Sequence, residues 1–204
     1  MKQAHLVVYS DYLCPWCFNI SVRLHRLEQE LGDRVRLEWR TFLLRPHPRR
    51  NRTLEEFRAY TSSWLRPAQD EDAGAFRVWS TDVGPPSHSV PPHLVAKAAE
   101  ELGPAAFRDI HERLLHAYFA DNRDITDRDT LAAIWSEADL PAEELSRAWE
   151  PRIEEKVLAQ HNEAVELGIT GVPAVRPADQ TAFVTGALPY QTYRRWLDKL
   201  LASR

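Results

Sequence analysis

The chain carries two cysteines, Cys14 and Cys17, three residues apart in the run Cys14-Pro15-Trp16-Cys17. Residues three apart on a helix are neighbours, so a disulfide between them closes without unwinding the turn. Just upstream, His5 to Ser10 (HLVVYS) is a short apolar, β-branched and aromatic run that reads as a buried strand, and Asp11-Tyr12-Leu13 reads as a turn. Cys14 therefore falls at the N-cap or first turn of a helix, where unpaired backbone amides and the helix dipole favour a thiolate. Pro15 suits the first helical position, which needs no amide. Cys17 lies one turn further in and is expected to be more covered. The division of labour that follows is attack by Cys14 and resolution of the mixed disulfide by Cys17. Neither Pro15 nor Trp16 supplies a cation. The couple is therefore expected to be less oxidising than one with an imidazole between its cysteines.

Three further features bear on this dithiol. Asp11 is an acid close enough in sequence to accept or deliver the proton as Cys17 becomes a thiolate; the alternative is a solvated turn aspartate that caps the helix. Trp16 is expected to be an exposed apolar contact for substrate, whereas Trp39, Trp64, Trp79, Trp135, Trp149 and Trp196 read as core packing. A zinc half-site completed by histidines or by a second chain is the competing use of two close cysteines. A four-cysteine site within one chain is excluded, and His111 and His116 are five apart in HERLLH, not the four of a HExxH metal site. Zinc shared across an interface stays open at this point.

The elements that must position the pair follow from periodicity. Ile20, Leu24, Leu27 and Leu31 fall on one helical face, with Gly32 placed to stop the helix. Val35 to Leu43 alternates with Arg36, Glu38 and Arg40, which predicts a second strand ended by Pro46 and Pro48. Strand, helix, strand within this span predicts a parallel pair, with the dithiol at the carboxyl end of the first strand. From Thr53 to about Leu167 the pattern is mostly helical. Thr53-Leu54-Glu55-Glu56 is a capped start, Gly84 to Pro92 a proline-rich loop, and helices are predicted over His93–Leu102, Pro104–Phe119, Asp127–Ala138, Pro141–Trp149 and Pro151–Leu167. The four arginines between Arg45 and Arg52 read as a solvated loop or as a contact for an acidic surface. Ala174–Val175 and Ala182–Thr185 form a predicted hairpin, and Pro189 to Leu201 a closing amphipathic helix. The order is βαβ, then helices, then ββα: an α/β chain with 1–46 and 168–204 as one domain and 47–167 as a helical insertion.

Composition narrows the partners. The chain has 204 residues, 44% apolar and 27% charged, with a formal charge of −4. No basic excess is available to neutralise phosphates, which argues against nucleic acid. No apolar run reaches the length of a membrane span, and Met1 to Leu13 lacks a signal-peptide pattern. The expected location is cytoplasmic, with no membrane partner.

Strand, Cys14-Pro15-Trp16-Cys17, helix, with Gly171-Val172-Pro173 far downstream, resembles the thioredoxin superfamily. The helical insertion is similar to that of the DsbA family, and within it the chain most resembles the FrnE-like branch. The matching pieces are Ser10 to Cys17, Phe42-Leu43-Leu44-Arg45-Pro46, Ala117-Tyr118-Phe119 with Asp124-Ile125-Thr126-Asp127, Gly168 to Ala174, and Gly186-Ala187-Leu188-Pro189. The chain departs from relatives at Phe18-Asn19-Ile20, where many have a Tyr-Ile-Gly-like run. The resemblance implies a thioredoxin-like α/β fold with a large all-helical insertion. It carries the redox pair over to Cys14 and Cys17 and a cis-proline over to Pro173, preceded by Val172. Such a bond would present the Val172 backbone to an extended peptide; otherwise Pro173 is a plain turn residue. With Pro15 and Trp16, Val172 would form the substrate contact.

The implied activity is a thiol–disulfide oxidoreductase, with isomerase action included, on protein or peptide thiols. A small thiol such as glutathione is a candidate partner, no cofactor or metal is expected, and the state is a monomer or homodimer. Hydroxychromene-carboxylate isomerases and kappa-type glutathione transferases share the fold but generally place a serine where Cys14 stands. A non-catalytic zinc- or partner-binding protein is the alternative from another class.

Overall fold

The computed structural model describes residues 3–49 and 52–203. Strand β1 (Ala4–Ser10) lies inside a four-stranded mixed sheet, with strand β2 (Val35–Thr41) parallel on one side and β3 (Ala174–Pro177) antiparallel on the other. The register runs from Ala4↔Val35 to Ser10↔Thr41 and, on the far side, pairs Tyr9 with Ala174. The two-residue strand β4 (Val184–Thr185) closes the order β2-β1-β3-β4 as the second arm of the expected hairpin. β1 is an unbroken apolar run because both its faces are covered. Ala4, Leu6 and Val8 face helix α1 (Pro15–Leu31) and helix α7 (Tyr190–Ser203), through Ile20, Leu24, Leu27, Tyr193 and Leu197. Val7 and Tyr9 pack on the opposite side with Ala164 and Ile169. Gly32 stops α1 with φ 54°, a left-handed value that favours glycine.

Between β2 and β3 come α2 (Leu54–Thr61), α3 (Val90–Leu102), α4 (Pro104–Phe119), α5 (Arg128–Glu137) and α6 (Pro151–Glu166). Their core is aromatic: Trp64 meets Phe119 at 4.8 Å and Tyr118 at 5.1 Å, and Phe57 meets Trp79 at 5.0 Å between ring centroids. Helix α6 joins the two cores. Ile153 and Val157 sit in the helical one, while Ala164 lies under Val7 and Tyr9. The expected fold, a thioredoxin-like sheet with a large helical insertion, is the observed one.

The departures have local causes. Helix α3 starts at Val90 and not His93, because Pro91 and Pro92 occupy its first turn, where their missing amides cost nothing. Only two short 3₁₀ turns, Ser62–Leu65 and Pro67–Gln69, precede an irregular stretch that runs to Ser89; Pro67, Gly74 and Gly84-Pro85-Pro86 interrupt any longer helix. Ala142–Trp149 also winds as a 3₁₀ helix. Beyond β2, Phe42 N–H still donates to Ser10 O at 3.0 Å, and pairing then stops because the following amides turn to side chains: Leu43 N–H donates to His161 Nδ1 at 3.1 Å and Leu44 N–H to Asp11 Oδ2 at 2.6 Å.

The arginine-rich run is not uniformly solvated. Arg45 donates to Pro86 O at 3.3 Å and Arg52 lies 4.4 Å over the Tyr60 ring; Arg50 lies outside the described residues. Of the tryptophans expected in the core, Trp64, Trp79 and Trp135 are buried, and Trp39, Trp149 and Trp196 are half-buried.

Candidate active site

Cys14 is the N-cap of α1, with extended backbone angles (φ −99°, ψ 116°), and Pro15 follows as the first helical residue. The turn from β1 is fixed by two backbone bonds, Cys14 N–H to Asp11 O at 3.1 Å and Cys17 N–H to Cys14 O at 3.0 Å. Both cysteines are free thiols. Cys14 is 6% exposed and Cys17 fully buried, so Cys17 is the more covered of the two. Burial pushes the Cys17 thiol well above the usual cysteine range, and the adjoining Cys14 sulfur adds to the rise. The neighbouring Asp11 backbone and Ser10 hydroxyl pull partway back.

The bond between Val172 and Pro173 is cis, and Cys14 Sγ donates to Val172 O at 3.4 Å. The loop holding Pro173 is tied to the sheet edge by Gly186 N–H, which donates to Pro173 O at 2.8 Å. The structure thus brings Cys14, Cys17, Val172 and Pro173 together. Trp16 is half-buried rather than fully exposed. It lines a groove of about 650 Å³ with Arg23, Asp70, Glu71, Asp72 and Tyr190.

Asp11 is fully buried, which corrects its reading as a solvated aspartate. Nor does its side chain cap α1, whose N-cap is Cys14. Its Oδ1 accepts from Leu13 N–H and its Oδ2 from Leu44 N–H, each at 2.6 Å. The neighbouring Ser89 hydroxyl and the Arg45 charge also favour the ionised carboxylate. The side chain therefore splices the turn before Cys14 to the chain leaving β2. Burial lifts its carboxyl to about 6 against the downward pull of these donors.

Phe18 and Asn19 anchor the insertion against α1. Asn19 Nδ2 donates to Pro67 O at 2.9 Å, and its Oδ1 accepts from Gly74 N–H at 3.1 Å. Arg23, 3% exposed, donates to Asp72 Oδ1 at 2.7 Å, to Ala187 O at 2.7 Å and to Leu188 O at 3.0 Å, and also pairs with Asp70.

A buried polar cluster behind the dithiol was not foreseen. Tyr12 OH meets His111 Nδ1 at 2.9 Å, and His111 Nε2 meets Ser21 Oγ at 3.0 Å. Thr41 Oγ1 meets His93 Nδ1 at 3.2 Å, and Lys97 Nζ donates to Trp39 O at 2.8 Å. Burial holds both histidines well below the ordinary imidazole range, His111 at about 3. It brings the Lys97 amine down to about 8. The signal was in the sequence: Lys97 interrupts Leu94-Val95-Ala96-Lys97-Ala98-Ala99, and His93 lies one turn before it on the same face. Among the described residues, no cluster of three or more His, Cys, Asp or Glu side chains is placed to hold a metal ion, and no helix is long and apolar enough to cross a membrane.

Comparison with known proteins agrees with this geometry. A family model described as the DSBA-like thioredoxin domain matches residues 5–198. An uncharacterized protein of Bacillus subtilis, YwbO, is 30% identical over 186 residues, covering 83% of this chain and 84% of that protein. Solved structures that share the fold include the following two. The cytosolic disulfide reductase DsbM of Pseudomonas aeruginosa has a TM-score of 0.73 and 20% identity, covering 97% of this chain and 95% of its own, and is also known with glutathione. SCO1869 of Streptomyces coelicolor, described as a probable DsbA oxidoreductase, has a TM-score of 0.76 and 23% identity over 99% of this chain and 92% of its own.

Proposed function

Since the chain belongs to the DSBA-like thioredoxin domain family, we propose that it is a thiol–disulfide oxidoreductase exchanging disulfides with protein or peptide thiols through Cys14 and Cys17. The observation that carries the reading is the free thiol of Cys14 at the open start of α1, with its sulfur against the Val172 carbonyl at 3.4 Å. The Cys14 thiolate attacks one sulfur of a substrate disulfide. A Cys14–substrate bond forms, and the other substrate sulfur leaves with the electron pair. The Cys17 sulfur then attacks Cys14, the intramolecular disulfide forms, and the second substrate thiolate departs. Run backwards, the same steps oxidise a substrate dithiol. The direction is set by the potential of the pair against its partner.

An extended substrate segment pairs with the main chain at Val172, and Pro173 shapes that edge. Pro15 and Trp16 supply apolar contact. Main-chain pairing of this kind tolerates many sequences. The cytosolic DsbM structure with glutathione supports a cytoplasmic setting and a small thiol as the recycling partner. Reduction of insulin disulfides with glutathione as electron source tests the reading. Wild type should turn over and Cys14→Ala should not; a folded wild type without activity on insulin or on scrambled ribonuclease would overturn it.

A further inference from the structure

The end of the sheet away from β2 carries a second groove, of about 310 Å³, between β4 and α7. Its floor is apolar. Val184, Leu188 and Trp196 pack against the core shared with α1 but stay half-buried, so part of each is left for another apolar surface. Its rim is cationic: Arg195 and Lys199, both exposed, line the groove, and no Asp or Glu does.

Helix α7 sorts its charges. Arg194 pairs with Asp198, four residues on, at 3.3 Å and with Glu30 of α1 at 3.2 Å. Arg195 and Lys199 keep the same four-residue spacing, but both are positive, and neither has a carboxylate partner among the described residues. Like charges one helical turn apart repel. The repulsion stands uncompensated in a chain whose formal charge is −4. An anion seated between the two side chains removes it.

The wall of the groove is fixed in advance. Gly186 N–H donates to Pro173 O at 2.8 Å, Tyr193 OH donates to Gly186 O at 3.0 Å, and Arg23 donates to the carbonyls of Ala187 and Leu188 at 2.7 Å and 3.0 Å. A preformed apolar cleft with a few polar groups to orient the ligand is the usual form of a small-molecule site, and the volume falls at the lower end of the usual range of roughly 300–1,000 Å³. Larger partners fit less well. β4 is two residues long, a short edge for an added strand, and two cations are few for a phosphate backbone.

We propose that this groove binds a small amphipathic anion, its compact apolar body laid on Val184, Leu188 and Trp196 and its carboxylate held between Arg195 and Lys199. The Arg195 guanidinium offers a carboxylate two parallel N–H groups, and Lys199 adds a point charge. The Trp196 indole supplies flat apolar area. The neighbouring Ala187, Pro189 and Tyr190 line the Trp16 groove instead, so the two sites share one stretch of chain and no lining residue.

Titration with 2-naphthoate, followed by backbone amide chemical shifts, tests this. In wild type the shifts should gather on residues 184–188 and 192–199 and saturate. 2-Naphthylmethylammonium, a similar body with the opposite charge, should bind at least about 10-fold more weakly. Arg195→Ala combined with Lys199→Ala, both at exposed positions, should weaken naphthoate binding by about 10-fold, and Arg195→Glu combined with Lys199→Glu should reverse the preference between the probes. Should the glutamate pair fail to fold, the alanine pair decides alone. Shifts confined to other parts of the molecule, equal binding of the two probes, or wild-type affinity in a folded alanine pair overturns the proposal. Groove amides that shift with protein concentration alone would mean that a second copy of the chain fills the site, and would overturn it too.

Discussion

The Cys14 thiol and the Val172 carbonyl meet at 3.4 Å although 158 residues separate them along the chain. This contact joins the start of α1 to the loop that enters β3, and so places the attacking sulfur beside a main-chain edge.

The two cysteines should separate kinetically. Cys14→Ala should lower disulfide turnover by about 100-fold or more, since it removes the attacking sulfur. Cys17→Ala should instead accumulate mixed disulfide with substrate. Circular dichroism should show both folded. Gel separation under non-reducing conditions reads the trapped species, and trapping by Cys14→Ala in place of Cys17→Ala would reverse the assignment.

Asp11 should leave a mark on stability against pH. Burial, the largest influence, lifts its folded-state carboxyl from 3.8 to about 6. A group raised on folding contributes stability that is complete below its unfolded value and lost as pH rises through its folded one. The stability of wild type relative to Asp11→Asn should therefore fall by roughly 3 kcal/mol between about pH 4 and pH 7. Urea unfolding at several pH values measures the gap; a gap independent of pH refutes the buried ionisation.

Arg23 fastens α1 to Asp70, Asp72 and the carbonyls of Ala187 and Leu188. Arg23→Met keeps much of the bulk but abandons these partners, and should cost about 3 kcal/mol. Denaturant midpoints would show it. A loss below about 1 kcal/mol, the scale of an exposed pair, would mean the network contributes little.

Gly74 lies against Phe18, the residue after Cys17. A Cβ added at Gly74 would fall 2.5 Å from the Phe18 ring. Phe18 is buried between Phe76 and Phe119 and has little room to move. Gly74→Ala should therefore destabilise by about 1–3 kcal/mol, and Phe18→Leu in that background should recover part of the loss. Thermal melts of the single and double variants decide; an unshifted Gly74→Ala melt would contradict the close approach.

The dithiol was legible because residue type and spacing alone define it. β1, α1 and α7 were legible from apolar periodicity, since their faces meet one shared core. The start of α3 was not, because prolines read as a loop until the helix's first turn is seen to need no amides. The solvated alternative for Asp11 failed because one of its partners, Leu44, lies 33 residues away. His93 and Lys97 showed an oddity, polar groups in an apolar helix, but periodicity cannot say which strand oxygens or which cavity receive them. The cis bond at Pro173 came through resemblance, as no local pattern requires it.

The placement of β1 has a consequence for synthesis. This strand leaves the ribosome well before one of its two neighbours, β3, which follows the whole helical insertion. A nascent chain thus displays Cys14 and Cys17 without the wall that directs them until the insertion has been made. The newborn pair is open to stray oxidants and metals until β3 and its loop close over it.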